Sequence, residues 1–126
     1  MSDLPLSGIK VVEFTHMVMG PTVGLILADL GATVTKVEPL KGDNTRRLMG
    51  SGAGYFAMYN RNKKSLTLNL KDDGAKEVLW QLIDTADIIV ENFRPGAAEK
   101  NGFGYEELRK INPALVYVSI SGYGQL

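Results

Sequence analysis

Asn92, Phe93 and Arg94 follow the apolar run Ile88-Ile89-Val90 and precede Pro95-Gly96, and their order is the first hint of chemistry in the chain. An amide, an aromatic face and a guanidinium stand where a buried strand runs out into a tight turn. In an open α/β sheet the ligand sits outside the carboxyl ends of the strands, so this stretch reads as a ligand loop. Arg94 has a second reading, a simple pair with a neighbouring acid such as Glu91. His16, the single histidine, reads first as a hydrogen-bonded structural residue and only then as an acid–base catalyst. Met17, Met19, Met49 and Met58 read as gap-fillers of a core.

Loops of this kind need strands to present them. Strands are predicted at 9–14, 33–38, 65–70, 87–90 and 115–120 from their apolar, β-branched runs. Helices are predicted between them. The first opens at Gly20-Pro21, with proline suited to the first helical position, and ends at Gly31. A short one lies around 55–59 within an irregular excursion over 43–64. The next is capped by Asp72 or Asp73 and runs through Thr85, and the last spans 105–111. The alternation predicts an α/β fold with an open, mostly parallel sheet and right-handed crossovers, truncated after the fifth strand. Its strand exits present His16 to Met19; Pro39 to Gly42; Asn69 to Lys71; Asn92 to Gly96; and Ser121 to Gly124. The helix opening at Gly20 adds free N–H groups and a positive dipole end, suited to an anion. Together these favour a nucleotide-like ligand.

The totals narrow the classes. With 126 residues the chain is one domain or part of one, and 44% hydrophobic content supports a modest core. There is no cysteine and one histidine, so neither a disulfide framework nor a metal site is expected. No eighteen-residue apolar run and no signal-peptide pattern occur, so a cytoplasmic protein without a membrane segment is expected. Lysine plus arginine and aspartate plus glutamate both number 14, so net charge names no partner. Between 36 and 64, however, Lys36, Lys41, Arg46, Arg47, Arg61, Lys63 and Lys64 face only Glu38 and Asp43. That excess reads either as a site for a phosphorylated small molecule or as a solvated basic surface. No aromatic ladder interleaves with it, which argues against nucleic acid. The first βα turn has no G-x-G-x-x-G and no Walker lysine loop exists, so NAD and ATP fit poorly.

The ordered blocks Leu6-x-Gly8-Ile9-x-Val11, Gly20-Pro21, Leu27-Ala28-Asp29-Leu30-Gly31-Ala32, Lys36-Val37-Glu38, Asn60-Arg61-Asn62-Lys63-Lys64-Ser65-Leu66, Glu91-Asn92-Phe93-Arg94-Pro95-Gly96, Asn112-Pro113 and Ser119-Ile120-Ser121-Gly122-Tyr123-Gly124-Gln125 together resemble the family III CoA-transferases. That group includes formyl-CoA transferase and the carnitine CoA-transferases. The resemblance implies a Rossmann-like core in a large domain, of which residues 1–126 are the N-terminal part, with the rest of that domain and a small domain absent. It implies an interlocked homodimer that moves coenzyme A from an acyl-CoA to a carboxylic acid. An aspartate attacks the thioester in such enzymes, and each covalent intermediate stays activated toward the next carboxylate. That nucleophile is expected beyond Leu126, since none of Asp29, Asp43, Asp72, Asp73, Asp84 or Asp87 matches it; this stretch alone is therefore expected to be inactive.

What the resemblance carries onto this sequence is a coenzyme A cradle. Val18 and Met19 match positions after the first strand, beside His16. Leu68, Asn69, Leu70 and Lys71 match the third-strand exit, and Asn92, Phe93 and Arg94 the fourth-strand loop. Lys100 stands where a basic residue meets the phosphates. Pro39 departs from relatives that have arginine near the 3′-phosphate, with Lys41 as a substitute. Two other functions compete: an acyl-CoA racemase of the same superfamily, which moves a proton instead of a thioester, and a non-catalytic CoA- or nucleotide-binding domain. The segment 55–62 favours the transferase.

Overall fold

Alternating β-branched and apolar residues produce five strands in the computed structural model, which describes residues 3–125. They are β1 (Lys10–Phe14), β2 (Thr33–Glu38), β3 (Lys64–Thr67), β4 (Ile88–Glu91) and β5 (Val116–Ser119). All pair in parallel, in the order β3-β2-β1-β4-β5. The helices are α1 (Met19–Asp29), α2 (Tyr55–Tyr59), α3 (Asp73–Thr85), α4 (Ala97–Lys100) and α5 (Tyr105–Ile111). Two 3-10 turns, Asn44–Arg47 and Gly50–Gly52, interrupt the excursion between β2 and β3.

Side-chain alternation along the strands builds two cores. Val11, Val34 and Val90 point to one face, where Ala28 and Ala32 cover them. Val12, Phe14, Val37 and Ile89 point to the other and meet Leu79, Ile83, Phe103 and Leu108. Burying each large apolar side chain contributes about 1.5–3 kcal/mol, so the sheet is held from both sides as parallel sheets require.

Local chemistry sets the helix ends. Asp72 accepts from the N–H groups of Gly74 (2.8 Å) and Ala75 (3.3 Å) and caps α3. The end of α1 is closed by Gly31 N–H to Ala28 O and Ala32 N–H to Leu27 O, both 3.0 Å, the paired bonds of a Schellman motif.

Most strand ends shift by a residue from the sequence reading, and three larger differences have a physical cause. α1 begins at Met19, so Pro21 is its third residue; it still lies in the first turn, where an N–H has no partner to lose. β3 ends at Thr67 rather than at residue 70. Leu68 N–H reaches Glu38 O (3.0 Å) as a final rung, and the next residue on β2 is Pro39, which has no N–H to offer. α4 has no signature of its own in the sequence, because its four residues are too few to show a helical period.

Candidate ligand cleft

The carboxyl ends of β1 to β4 surround a cleft of about 660 Å³. Phe14 and Val37 form its floor, flanked by Leu68 and Leu70. Phe93 closes the β4 side and packs on Phe103 (ring centroids 5.6 Å apart), which stacks on Phe14 (4.6 Å). His16, Lys41, Asn69 and Lys71 give the mouth its polar character. The cleft lies where β1 has β2 on one side and β4 on the other, the switch point at which open sheets bind ligands.

The turn from β1 into α1 forms one lip. Met17 has φ of +64°, a left-handed conformation that costs a residue with a Cβ about 1–2 kcal/mol. Its N–H donates to Thr45 Oγ1 (2.9 Å), and the Thr45 hydroxyl donates to Asp43 Oδ1 (2.7 Å). The neighbouring His16 is gripped by the Asn92 amide. His16 N–H donates to Asn92 Oδ1 (3.1 Å), and Asn92 Nδ2 donates to His16 O (2.9 Å). These bonds bridge the β1 and β4 exits beyond the last paired residues, Phe14 and Glu91. Gly20 leaves the space for them, since a Cβ there would fall 2.6 Å from Asn92 Cγ.

Behind the opposite lip lies a buried ionic network. Lys36 donates to Thr15 O (2.7 Å) and pairs with Asp43 Oδ2 (3.1 Å) and Glu13 Oε2 (3.8 Å). Lys63 faces Glu13 Oε1 at 2.8 Å and donates to Pro21 O (2.9 Å). Glu13 Oε1 and Asp43 Oδ2 make no hydrogen bond; each is compensated by the ammonium group facing it. α1 can pass over Glu13 only because residue 24 is glycine, as a Cβ there would sit 2.0 Å from Oε1. Glu38 accepts both arms of Arg46 (2.8 and 2.7 Å), the Asp43 N–H (2.8 Å) and the Ser65 hydroxyl. Arg46 also lies over the Phe56 ring at 3.9 Å.

The network sets protonation. Burial pushes Glu38 up, but the Arg46 fork, the Asp43 N–H and the Ser65 hydroxyl outweigh it and hold the carboxyl down at about 2. Burial likewise opposes ionisation of Asp43, and the Thr45 N–H, the Thr45 hydroxyl and Lys36 bring it below its ordinary range. Lys63 is lowered by burial, against the pull of Glu13. Thus the ammonium groups of Lys36 and Lys63 are buried in ion pairs, and Arg46, though exposed, is committed to Glu38; for these three the structure corrects the reading of the basic stretch as a solvated surface or a phosphate site. Two of the partners, Glu38 and Asp43, lie within that stretch, but Glu13, which faces Lys36 and Lys63, lies outside it in sequence.

On the β4 side, Glu91 is buried and accepts from Phe93 N–H (3.0 Å) and the Ser119 hydroxyl. It is not the partner of Arg94, which is exposed and forms no ion pair among the described residues. Tyr117 donates to Phe103 O (3.1 Å), and its hydroxyl is pushed up by burial and then by Glu91 and Glu99.

Of the residues singled out from sequence, His16, Leu68, Asn69, Leu70, Lys71 and Phe93 line the cleft. Val18, Met19, Asn92, Arg94 and Lys100 do not. Val18 is the N-cap residue of α1, with Met19 exposed beside it, and Asn92 spends its amide on His16. Arg94 and Lys100 are exposed on the β4 exit and on α4. Met17, Met19, Met49 and Met58 are exposed instead of filling the core, because they sit on turns, on the outer side of α1 or on the excursion, outside both core clusters. Sequence reasoning missed Thr45 and Asp43. Their only signal was an Asp-x-Thr spacing, common in capped turns.

An open parallel sheet with a cleft over its switch point defines a Rossmann-like α/β protein. The chain belongs to CoA-transferase family III, whose model matches residues 6–126. It is 46% identical over 125 residues to an acetyl-CoA:oxalate CoA-transferase of Acetobacter aceti, covering 96% of this chain and 32% of that protein. A formyl-CoA:oxalate CoA-transferase of Streptomyces coelicolor is 44% identical over 129 residues, covering 99% and 32%. The solved structure of a CAIB/BAIF family protein from Brucella suis superposes with a TM-score of 0.90 at 41% identity, covering 99% of this chain and 35% of that one. The chain therefore spans about a third of the length of the relatives it matches. Among the described residues no helix is long and apolar enough to cross a membrane.

Proposed function

We propose that this chain is the N-terminal part of the CoA-binding domain of a CoA-transferase, and that its cleft receives the coenzyme A portion of an acyl-CoA. The observation that carries the reading is the cleft itself: an apolar floor of Phe14 and Val37 under a mouth bearing Lys41 and Lys71, as an amphiphilic, phosphorylated ligand requires. His16, Asn69 and Phe93 contact the ligand there, with Leu68 and Leu70 beneath it. Arg94 and Lys100 reach the phosphates from outside the cleft by charge-assisted hydrogen bonds.

In the complete protein, an interlocked homodimer, an aspartate outside this chain attacks the thioester carbonyl and expels the coenzyme A thiolate, leaving a mixed anhydride. The thiolate attacks the aspartyl carbonyl, releases the donor acid and forms an aspartyl thioester. The acceptor carboxylate repeats the two exchanges in reverse order and regenerates the aspartate. Coenzyme A is a substrate in this scheme, and no metal takes part. This chain's own residues bind and orient; they supply no nucleophile.

Calorimetric titration of the full-length protein with coenzyme A, combined with isotope-exchange assays, tests the reading. Saturable binding with exchange of coenzyme A between carboxylates is expected. Exchange of the α-proton of an acyl-CoA without thioester exchange would identify a racemase, and absence of binding would remove coenzyme A from the cleft.

A further inference from the structure

Three consecutive residues at the cleft's lip, Thr15, His16 and Met17, each have a backbone group fixed by a side chain from a different element. Lys36 of β2 donates to Thr15 O (2.7 Å), Asn92 of the β4 exit grips both backbone groups of His16, and Thr45 of the first 3-10 turn accepts from Met17 N–H (2.9 Å). Two of the three clamps are themselves joined, since Asp43 takes the Thr45 hydroxyl (2.7 Å) and faces Lys36 (3.1 Å). The result is a closed circuit from Thr15 through Lys36, Asp43 and Thr45 back to Met17.

From this circuit we infer that Thr45 is a positioning residue of the ligand cleft: its hydroxyl holds Met17 in the left-handed turn and so fixes His16 and Met17 at the mouth. The inference rests on the reading of the cleft as a coenzyme A site. A non-glycine residue at positive φ persists only where its surroundings over-determine it, and such residues cluster at ligand clamps. Met17 satisfies both conditions. Its side chain is 41% exposed and lines the cleft, so core packing does not hold it. Its N–H has one partner, and that partner is 1% exposed, with a hydroxyl oriented by Asp43. Without the Thr45 acceptor the turn is free to relax to negative φ, and the mouth loses its fixed shape.

Three variants of the full-length protein test this: Thr45→Val, which keeps the shape and removes the hydroxyl; Thr45→Ser, which keeps it; and Met17→Gly, which removes the strain. Thr45→Val should speed hydrogen exchange at the Met17 amide more than about tenfold and raise the Kd for coenzyme A about tenfold. Thr45→Ser should stay within about twofold of wild type in both readouts. In the Met17→Gly background, Thr45→Val should change the Kd less than about threefold, because glycine adopts positive φ without strain and the hydroxyl then has no strain to offset. An equal penalty in both backgrounds would assign Thr45 a direct contact or a general structural role and overturn the inference; so would an unchanged Met17 amide. If Thr45→Val does not fold, the proposal requires Met17→Gly/Thr45→Val to fold, and failure of both overturns it. If wild-type protein binds no coenzyme A, the functional reading falls, while amide exchange and the same double-mutant comparison on thermal unfolding still decide the lock.

Discussion

On the α3–α5 face of the sheet, Phe14, Val37 and Ile89 pack with Leu79, Ile83 and Phe103, and at the carboxyl edge β4 adds the buried carboxylate of Glu91 to that face. The α1 face begins the same way at Val11 and Val34 but turns ionic toward that edge, at Glu13, Lys36 and Glu38. Parallel strands covered on both sides are usually apolar throughout, so the contrast asks for a reason. Apolar packing is non-directional and supplies the cleft with a floor. Ion pairs and hydrogen bonds are directional, and they fix the position of the β2 exit loop and of the turn at Met17, which form the lips. Arg47 extends the same device to the surface by donating to Lys41 O (2.6 Å).

The contrast can be broken most severely at Lys36. Lys36→Met leaves Glu13 and Asp43 buried without their shared ammonium and should cost about 3–5 kcal/mol in urea unfolding. A loss below about 1 kcal/mol would mean that the network is not what holds this face. Asn92→Ala is the next largest: losing both bonds to His16 should cost about 1–3 kcal/mol and leave salt dependence unchanged.

Arg94→Ala sharpens the comparison from outside both faces. With no ion pair to lose, stability should stay within about 0.5 kcal/mol of wild type. The coenzyme A Kd should rise about tenfold, or 1.4 kcal/mol, and less at high salt. An unchanged Kd at two salt concentrations would remove Arg94 from the site. The smallest effect at neutral pH is expected from titration. Glu38 stands at about 2 against an ordinary value of 4.5, so its stabilisation is complete above 4.5 and is lost as pH falls from 4.5 toward 2. Asp43, also lowered, adds in the same sense. Acid unfolding followed by circular dichroism should show this slope, and Glu38→Gln should flatten it; an unchanged slope would place the acid sensitivity elsewhere.

Much of the architecture was legible from residue order because its causes are local. The apolar runs named all five strands, the pair Asp72-Asp73 announced its helix, and the βα alternation implied a parallel sheet. The cleft's position followed from strand exits, and six of the eleven singled-out residues, including His16, Lys71 and Phe93, do line it. Asn92 was singled out as a ligand contact, and in the fold its amide bonds the backbone of His16, 76 positions away.

Sequence by itself determined what depends on neighbours along the chain: strand and helix identity, the turn at Pro95-Gly96, and the family blocks. The tertiary structure alone decided which charges meet. Lys36 and Lys63 read as part of a phosphate site or a solvated surface until the fold places Glu13 between them, and nothing along the chain links Thr45 to Met17 until the fold brings its hydroxyl to the Met17 N–H. The physical reason is range. Propensity and periodicity act within a few residues, whereas the free energy of a buried charge or a strained turn is set by groups that only the folded chain brings within hydrogen-bond distance.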